Sequence, residues 1–167
     1  MKYKLNNYFI DGLRAETLAK KYSTPLYCYS FKKLKDNINK FKKNFKSINP
    51  IICYAVKANS NKTLLREIGK LGLGADVVSI GELMKALKSG IKANKIVFSG
   101  VGKTEYELRY AIRKKILLIN TESKSEILAI EKIAKKEKKI INIGIRINPN
   151  TDAKTLRQIS TGKKENK

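Results

Sequence analysis

The stretch Ile51-Ile52-Cys53-Tyr54-Ala55-Val56-Lys57-Ala58-Asn59-Ser60-Asn61 sets the reading of this chain. Its apolar first half, rich in β-formers and closed by a polar turn, predicts a buried strand over Ile51–Val56. Asn61 then starts a helix predicted over Lys62–Leu71. Alternation along the strand puts Cys53, Ala55 and Lys57 on one face and turns Tyr54 and Val56 toward covering helices. The two small residues below Lys57 leave room for a flat group over that face. An amine at the end of a buried strand is shielded from water, which favours the neutral form that condenses with carbonyl compounds. The same position also suits a lysine that merely ends a strand and points to solvent.

Four further apolar runs recur, predicted as strands at Ala75–Ser79, Lys95–Ser99, Ile116–Asn120 and Ile140–Asn148. Three capping boxes announce the helices between them: Ser79 with Glu82, Thr104 with Glu107, and Ser123 with Glu126. Those helices end near Gly72, Gly90, Lys115 and Lys139. Strand–helix repetition of this kind means parallel strands with right-handed crossovers. An open doubly wound sheet and a closed (β/α)8 barrel both supply that pattern. The pattern alone does not choose between them; candidate functional residues at the ends of several strands are one ground for the barrel, and a family resemblance carried by the motifs is the other. The expected fold is α/β, a partial (β/α)8 TIM-type barrel of about five β/α units, truncated before closure. Ahead of it the sequence predicts a helix over Leu13–Tyr22, a strand over Thr24–Tyr29 and a helix over Phe31–Phe45.

Arg146 is the second candidate. On the fifth strand Gly144, Arg146 and Asn148 share a face opposite Ile143, Ile145 and Ile147, and those isoleucines are expected to pack on helices. A buried guanidinium needs an anion. That anion is either a bound cofactor or an acidic side chain, with Asp76 at the end of the second strand as the structural alternative.

The formal charge is +23, from 37 basic and 14 acidic side chains. Lysine supplies 31 of the 37, whereas base reading and phosphate forks favour arginine, so the balance reads as solvated helix faces. Cys28 and Cys53 stand apart with no histidine in the chain, which leaves no metal site and fits a reducing cytoplasm. No apolar run is long enough for a membrane span or a signal peptide. Gly100-Val101-Gly102-Lys103-Thr104 imitates a phosphate-binding loop, but the pattern needs a glycine where Val97 stands. It reads as a tight turn.

The string Tyr54-Ala55-Val56-Lys57-Ala58-Asn59 resembles the cofactor-lysine motif of the alanine-racemase-like decarboxylases that use pyridoxal 5'-phosphate (PLP). Gly74–Leu83, Ile96–Thr104, Arg146–Thr155, Ile159–Gly162 and Lys164–Lys167 narrow the resemblance to the diaminopimelate decarboxylases, from about Thr24 to the last residue. The resemblance implies PLP on Lys57, with Asp76 and Arg146 around the cofactor. It implies decarboxylation of meso-2,6-diaminopimelate to L-lysine, a small-molecule substrate, a cytoplasmic homodimer, and no membrane or specific nucleic-acid partner. Residues 1–30 would pack with a C-terminal β-domain, and residues 31–167 would be an incomplete PLP-binding barrel, inactive alone. Leu156 stands where the family commonly has histidine. Two other readings stay open, a non-catalytic PLP-binding barrel and a basic polyanion-binding protein.

Overall fold

Positive φ at Asn6 (58°), Asp11 (48°) and Gly12 (89°) turns the N-terminal residues back on themselves twice. The result is a small antiparallel sheet of β1 (Lys2–Lys4), β2 (Asn7–Ile10) and β3 (Leu13–Arg14), with Tyr3 opposite Tyr8 and Ile10 opposite Leu13. The computed structural model describes residues 2–4, 6–151, 154 and 162. Helix α1 (Ala15–Tyr22) starts two residues later than the sequence predicts, because Leu13 and Arg14 are held in that sheet. Thr24–Tyr29 is not a strand: among the described residues it has no strand to pair with. Helix α2 (Phe31–Asn44) follows the sequence closely. Its cap Ser30 accepts the Lys33 amide at 2.9 Å and donates its own proton to Asp11, fixing the helix start to the turn after β2. Met1–Pro50 forms one compact unit and Ile51–Lys167 a second.

The second unit alternates strand and helix: β4 (Cys53–Ala55), α3 (Lys62–Lys70), β5 (Gly74–Val77), α4 (Ile80–Lys88), β6 (Ile96–Phe98), α5 (Glu105–Arg113), β7 (Leu118–Thr121), α6 (Lys124–Glu137) and β8 (Ile143–Ile145). All five strands are parallel and lie in sequence order, as βαβ crossovers require. Val56, Ala75, Val77, Ile96, Phe98 and Ile119 turn one face of the sheet against Leu65, Ile68, Leu83, Leu108, Ile112 and Ile133 of the helices, and all are almost wholly buried. Each large side chain so buried contributes about 1.5–3 kcal/mol relative to exposure. This is the core.

Two capping boxes take a different form from the expected one. Thr104 and Glu107 reciprocate fully. Ser79 and Ser123 accept the amides of Glu82 and Glu126, but those carboxylates reach one residue further back, to the amides of Val78 (2.9 Å) and Glu122 (2.8 Å). Each glutamate thereby ties the end of a strand to the helix that follows it.

The face opposite the helices carries Cys53, Ala55, Gly74, Asp76, Val97, Leu118, Asn120 and Gly144. Most of these are only half-buried. Gly74 is required there, since a Cβ would run into the Lys95 carbonyl oxygen and lie 2.9 Å from the Cys53 sulfur. On β8 the outward isoleucines do not pack as expected. β8 is shorter than the Ile140–Asn148 strand the sequence predicts: Ile145 at its end and Ile147 beyond it are 69% and 79% exposed, and no helix among the described residues covers that end of the sheet.

Candidate active site

Parallel strands point their C-terminal ends the same way, so the residues that follow them gather along one rim. Lys57 comes just after β4, in a single 3-10 turn over Val56–Ala58. Ala55, two residues before it, is the register partner of Asp76 on β5. Arg146 follows β8, with its amide donating to the Thr121 carbonyl at the end of β7. Topology therefore brings all three expected residues to the same rim.

Their environments correct the sequence reading in two respects. Lys57 is exposed, not shielded. The strand ends one residue earlier than expected, at Ala55, so the lysine stands in a turn beyond the strand and not at its buried end. Arg146 pairs with Glu122 at 3.3 Å and not with Asp76. Its guanidinium side chain is 35% exposed against 8% for the carboxylate, so Glu122 is the buried partner. Glu122 immediately follows β7, the neighbouring strand, whereas Asp76 lies three strands away on β5.

Asp76 is held from the other side. Ser99, just past β6, donates its hydroxyl to Asp76 Oδ1 at 2.6 Å, and Asn120 on β7 donates Nδ2 to Ser99 Oγ at 3.0 Å. Sequence reasoning missed both residues. The signal was available: alternation places Ser99 and Asn120 on the same face as Asp76, as polar residues at inward positions of apolar strands. Burial first, and the neighbouring Asp76 carboxylate second, push the Cys53 thiol above its ordinary value, with Lys95 acting weakly the other way.

Lys103 anchors the turn after β6. Its ammonium donates to the Gly100 carbonyl at 2.5 Å and to Glu126 Oε1 at 2.7 Å, and lies 5.8 Å from the Phe98 ring centre. The Lys103 side chain is 2% exposed. It is spent inside the fold, which agrees with a tight turn and removes the cation a phosphate-binding loop needs. Leu156 and Ile159–Thr161 lie outside the described residues.

A family model described as pyridoxal-dependent decarboxylase, pyridoxal binding domain, matches residues 31–167. The diaminopimelate decarboxylase of Helicobacter pylori strain J99 is 52% identical over 152 residues, 91% of this chain and 38% of that protein. That of Aquifex aeolicus is 44% identical over 167 residues, 100% of this chain and 39% of its own length. Among solved structures, the H. pylori diaminopimelate decarboxylase complexed with L-lysine superposes with a TM-score of 0.86 at 50% identity, covering 90% of this chain and 38% of that one. A diaminopimelate decarboxylase from M. jannaschi gives 0.88 at 42% identity, over 99% and 39%. The chain thus spans less than two-fifths of the length of these relatives, and its five-stranded sheet is part of a TIM-type barrel. On the match of its residues 31–167, the chain belongs to the pyridoxal-dependent decarboxylases, as part of their pyridoxal-binding domain.

Proposed function

We propose that this chain supplies the lysine-bearing part of a PLP-dependent enzyme that decarboxylates meso-2,6-diaminopimelate to L-lysine. One observation carries the reading: the Lys57 amine stands at the same strand-end rim as Asp76 and Arg146, in a chain 52% identical to a diaminopimelate decarboxylase. The residues present fit the cofactor. Cys53, Ala55, Gly74 and Gly144 keep the inner face low enough for a flat ring, and a primary amine, a carboxylate and a guanidinium border it. When bound, PLP supplies the electron sink that makes loss of carbon dioxide feasible.

The chain's own residues then have distinct tasks. Lys57 is the amine that holds the cofactor aldehyde and has to shed a proton to do so. Asp76 presents a carboxylate whose Oδ1 is already taken by Ser99, leaving Oδ2 for a cationic or protonated group. Arg146, oriented by Glu122 through one nitrogen, keeps further N–H donors for an anionic group such as a phosphate or a substrate carboxylate. The reading carries with it a homodimer, a cytoplasmic setting, and an N-terminal segment over residues 1–30 that packs with a β-domain.

Two measurements test it. Borohydride reduction in the presence of PLP, followed by peptide mapping, is expected to label Lys57 ahead of all other lysines. Labelling scattered over the surface lysines would favour the polyanion-binding reading instead. A chimera carrying residues 31–150 in place of the matching stretch of the H. pylori relative is expected to release L-lysine from meso-diaminopimelate. A chimera that takes up PLP at Lys57 without releasing lysine would leave a non-catalytic PLP barrel as the better description.

A further inference from the structure

Four adjacent strands meet in a single line of side chains on the inner face. Gly144 on β8 leaves room for the Asn120 amide, because a Cβ at position 144 would collide with Asn120 Oδ1. Asn120 donates Nδ2 to Ser99 Oγ at 3.0 Å, and Ser99 donates its only hydroxyl proton to Asp76 Oδ1 at 2.6 Å. The Ser99 hydroxyl accepts from Asn120 and spends its single proton on Asp76, so the series is polarised toward one carboxylate oxygen. Among the described residues, Asp76 Oδ2 takes no hydrogen bond. Asp76 is the register partner of Ala55, two residues before Lys57.

The sheet does not need this line for its own cohesion. Its ladders are made by backbone groups, and its apolar core lies on the other face. What the line does is remove the rotational freedom of one carboxylate at the rim. We infer that Ser99 and Asn120 are positioning residues that act through Asp76, holding its Oδ1 so that Oδ2 faces the Lys57 nitrogen. This rests on the reading of Lys57 as the PLP amine. With PLP held at that rim, a fixed carboxylate would supply the negative charge that stabilises a cationic group on the bound cofactor. The line thereby sets the pH at which the bound cofactor changes colour, as well as how tightly it is kept.

The test uses the 167-residue chain and PLP, with absorbance, borohydride trapping and peptide mapping as readouts. Four variants are compared with the parent: Ser99→Ala, Ser99→Thr, Asn120→Ala and Asp76→Asn. Thermal melting of each confirms that it is folded. Ser99→Ala is expected to raise the PLP concentration for half-labelling of Lys57 on the order of tenfold, the usual size for removing a group that orients a binding side chain. It is also expected to lower the pH midpoint of the visible band, in the direction of Asp76→Asn and by less. Asn120→Ala should show a smaller change of the same sign, and Ser99→Thr, which keeps the hydroxyl, should restore the parent values. Labelling at Lys57 with an unchanged pH midpoint in Ser99→Ala would overturn the inference while leaving the PLP reading standing. Failure of the parent chain to label at Lys57 would overturn both.

Discussion

Glu126→Gln is the substitution with the largest expected cost per atom changed. The parent carboxylate holds the Lys103 ammonium at 2.7 Å, with the two side chains 2% and 10% exposed. The amide that replaces it can still accept the Glu122 amide, now at 2.8 Å, through its carbonyl oxygen. What disappears is the negative charge beside a cation that has almost no access to water. Breaking such a pair from one side costs about 3–5 kcal/mol. The Phe98 ring 5.8 Å from the ammonium and the Gly100 carbonyl contact it in parent and variant alike, so neither offsets that loss. The expected loss is therefore about 3–5 kcal/mol, equivalent to a fall in Tm of roughly 6–20 °C for a chain of this size. Urea unfolding followed by circular dichroism measures it, together with Lys103→Met and the double variant. With both charges gone no charge is left unpaired and only the Gly100 carbonyl loses its donor, so the double variant is expected within about 1–3 kcal/mol of the parent. A Glu126→Gln loss below about 1 kcal/mol, or a double variant equal to the sum of the two single ones, would refute the argument that burial makes this pair costly to break.

Gly74→Ala is expected to cost about 1–3 kcal/mol in the same assay, since its methyl group meets the rigid Lys95 carbonyl and the Cys53 sulfur. Thr104→Ala removes one half of the reciprocal cap of α5 and should cost about 1 kcal/mol. The backbone amide of Thr104 first, with the Ile80 amide, the Thr104 hydroxyl and the Lys103 charge adding to it, holds the Glu107 carboxyl below its ordinary value against the opposing effect of burial. A depressed value in the folded state means stability that is present above the ordinary glutamate range and lost as pH falls through the folded value. Glu107→Gln is expected to flatten that acid limb in thermal melts recorded from neutral to acid pH. An unchanged limb would sink the attribution.

The β/α unit was legible because its signals are local. Apolar runs of strand length, a polar cap before each helix and a glycine or lysine after it are written in neighbouring residues, and α3 to α6 begin and end close to where those signals lie. The rim was legible for the same reason: it lies where the strands stop. The N-terminal sheet was not, because Lys2–Lys4 and Leu13–Arg14 are too short to show a period, and their pairing is fixed by turns at positive φ. The partner of Arg146 was missed because the nearest carboxylate belongs to the adjacent strand, and Glu122 reads in sequence as a residue before a helix cap. The exposure of Lys57 depends on what covers the inner face, and no local pattern encodes that. The Ser99 and Asn120 line needed register, which alternation narrows but does not fix.

The outward isoleucines of β8 bear on how this chain behaves at high concentration. Among the described residues β8 is the last strand of its sheet, and a strand so placed, with greasy side chains in water, is an adhesive edge toward another copy of itself. The surplus of positive side chains keeps copies apart by mutual repulsion over a Debye length of about 10 Å at 0.1 M salt. Ionic strength is therefore the quantity that decides whether the molecules stay separate: dilute buffer preserves the repulsion, and concentrated salt brings the bare edges into reach of one another.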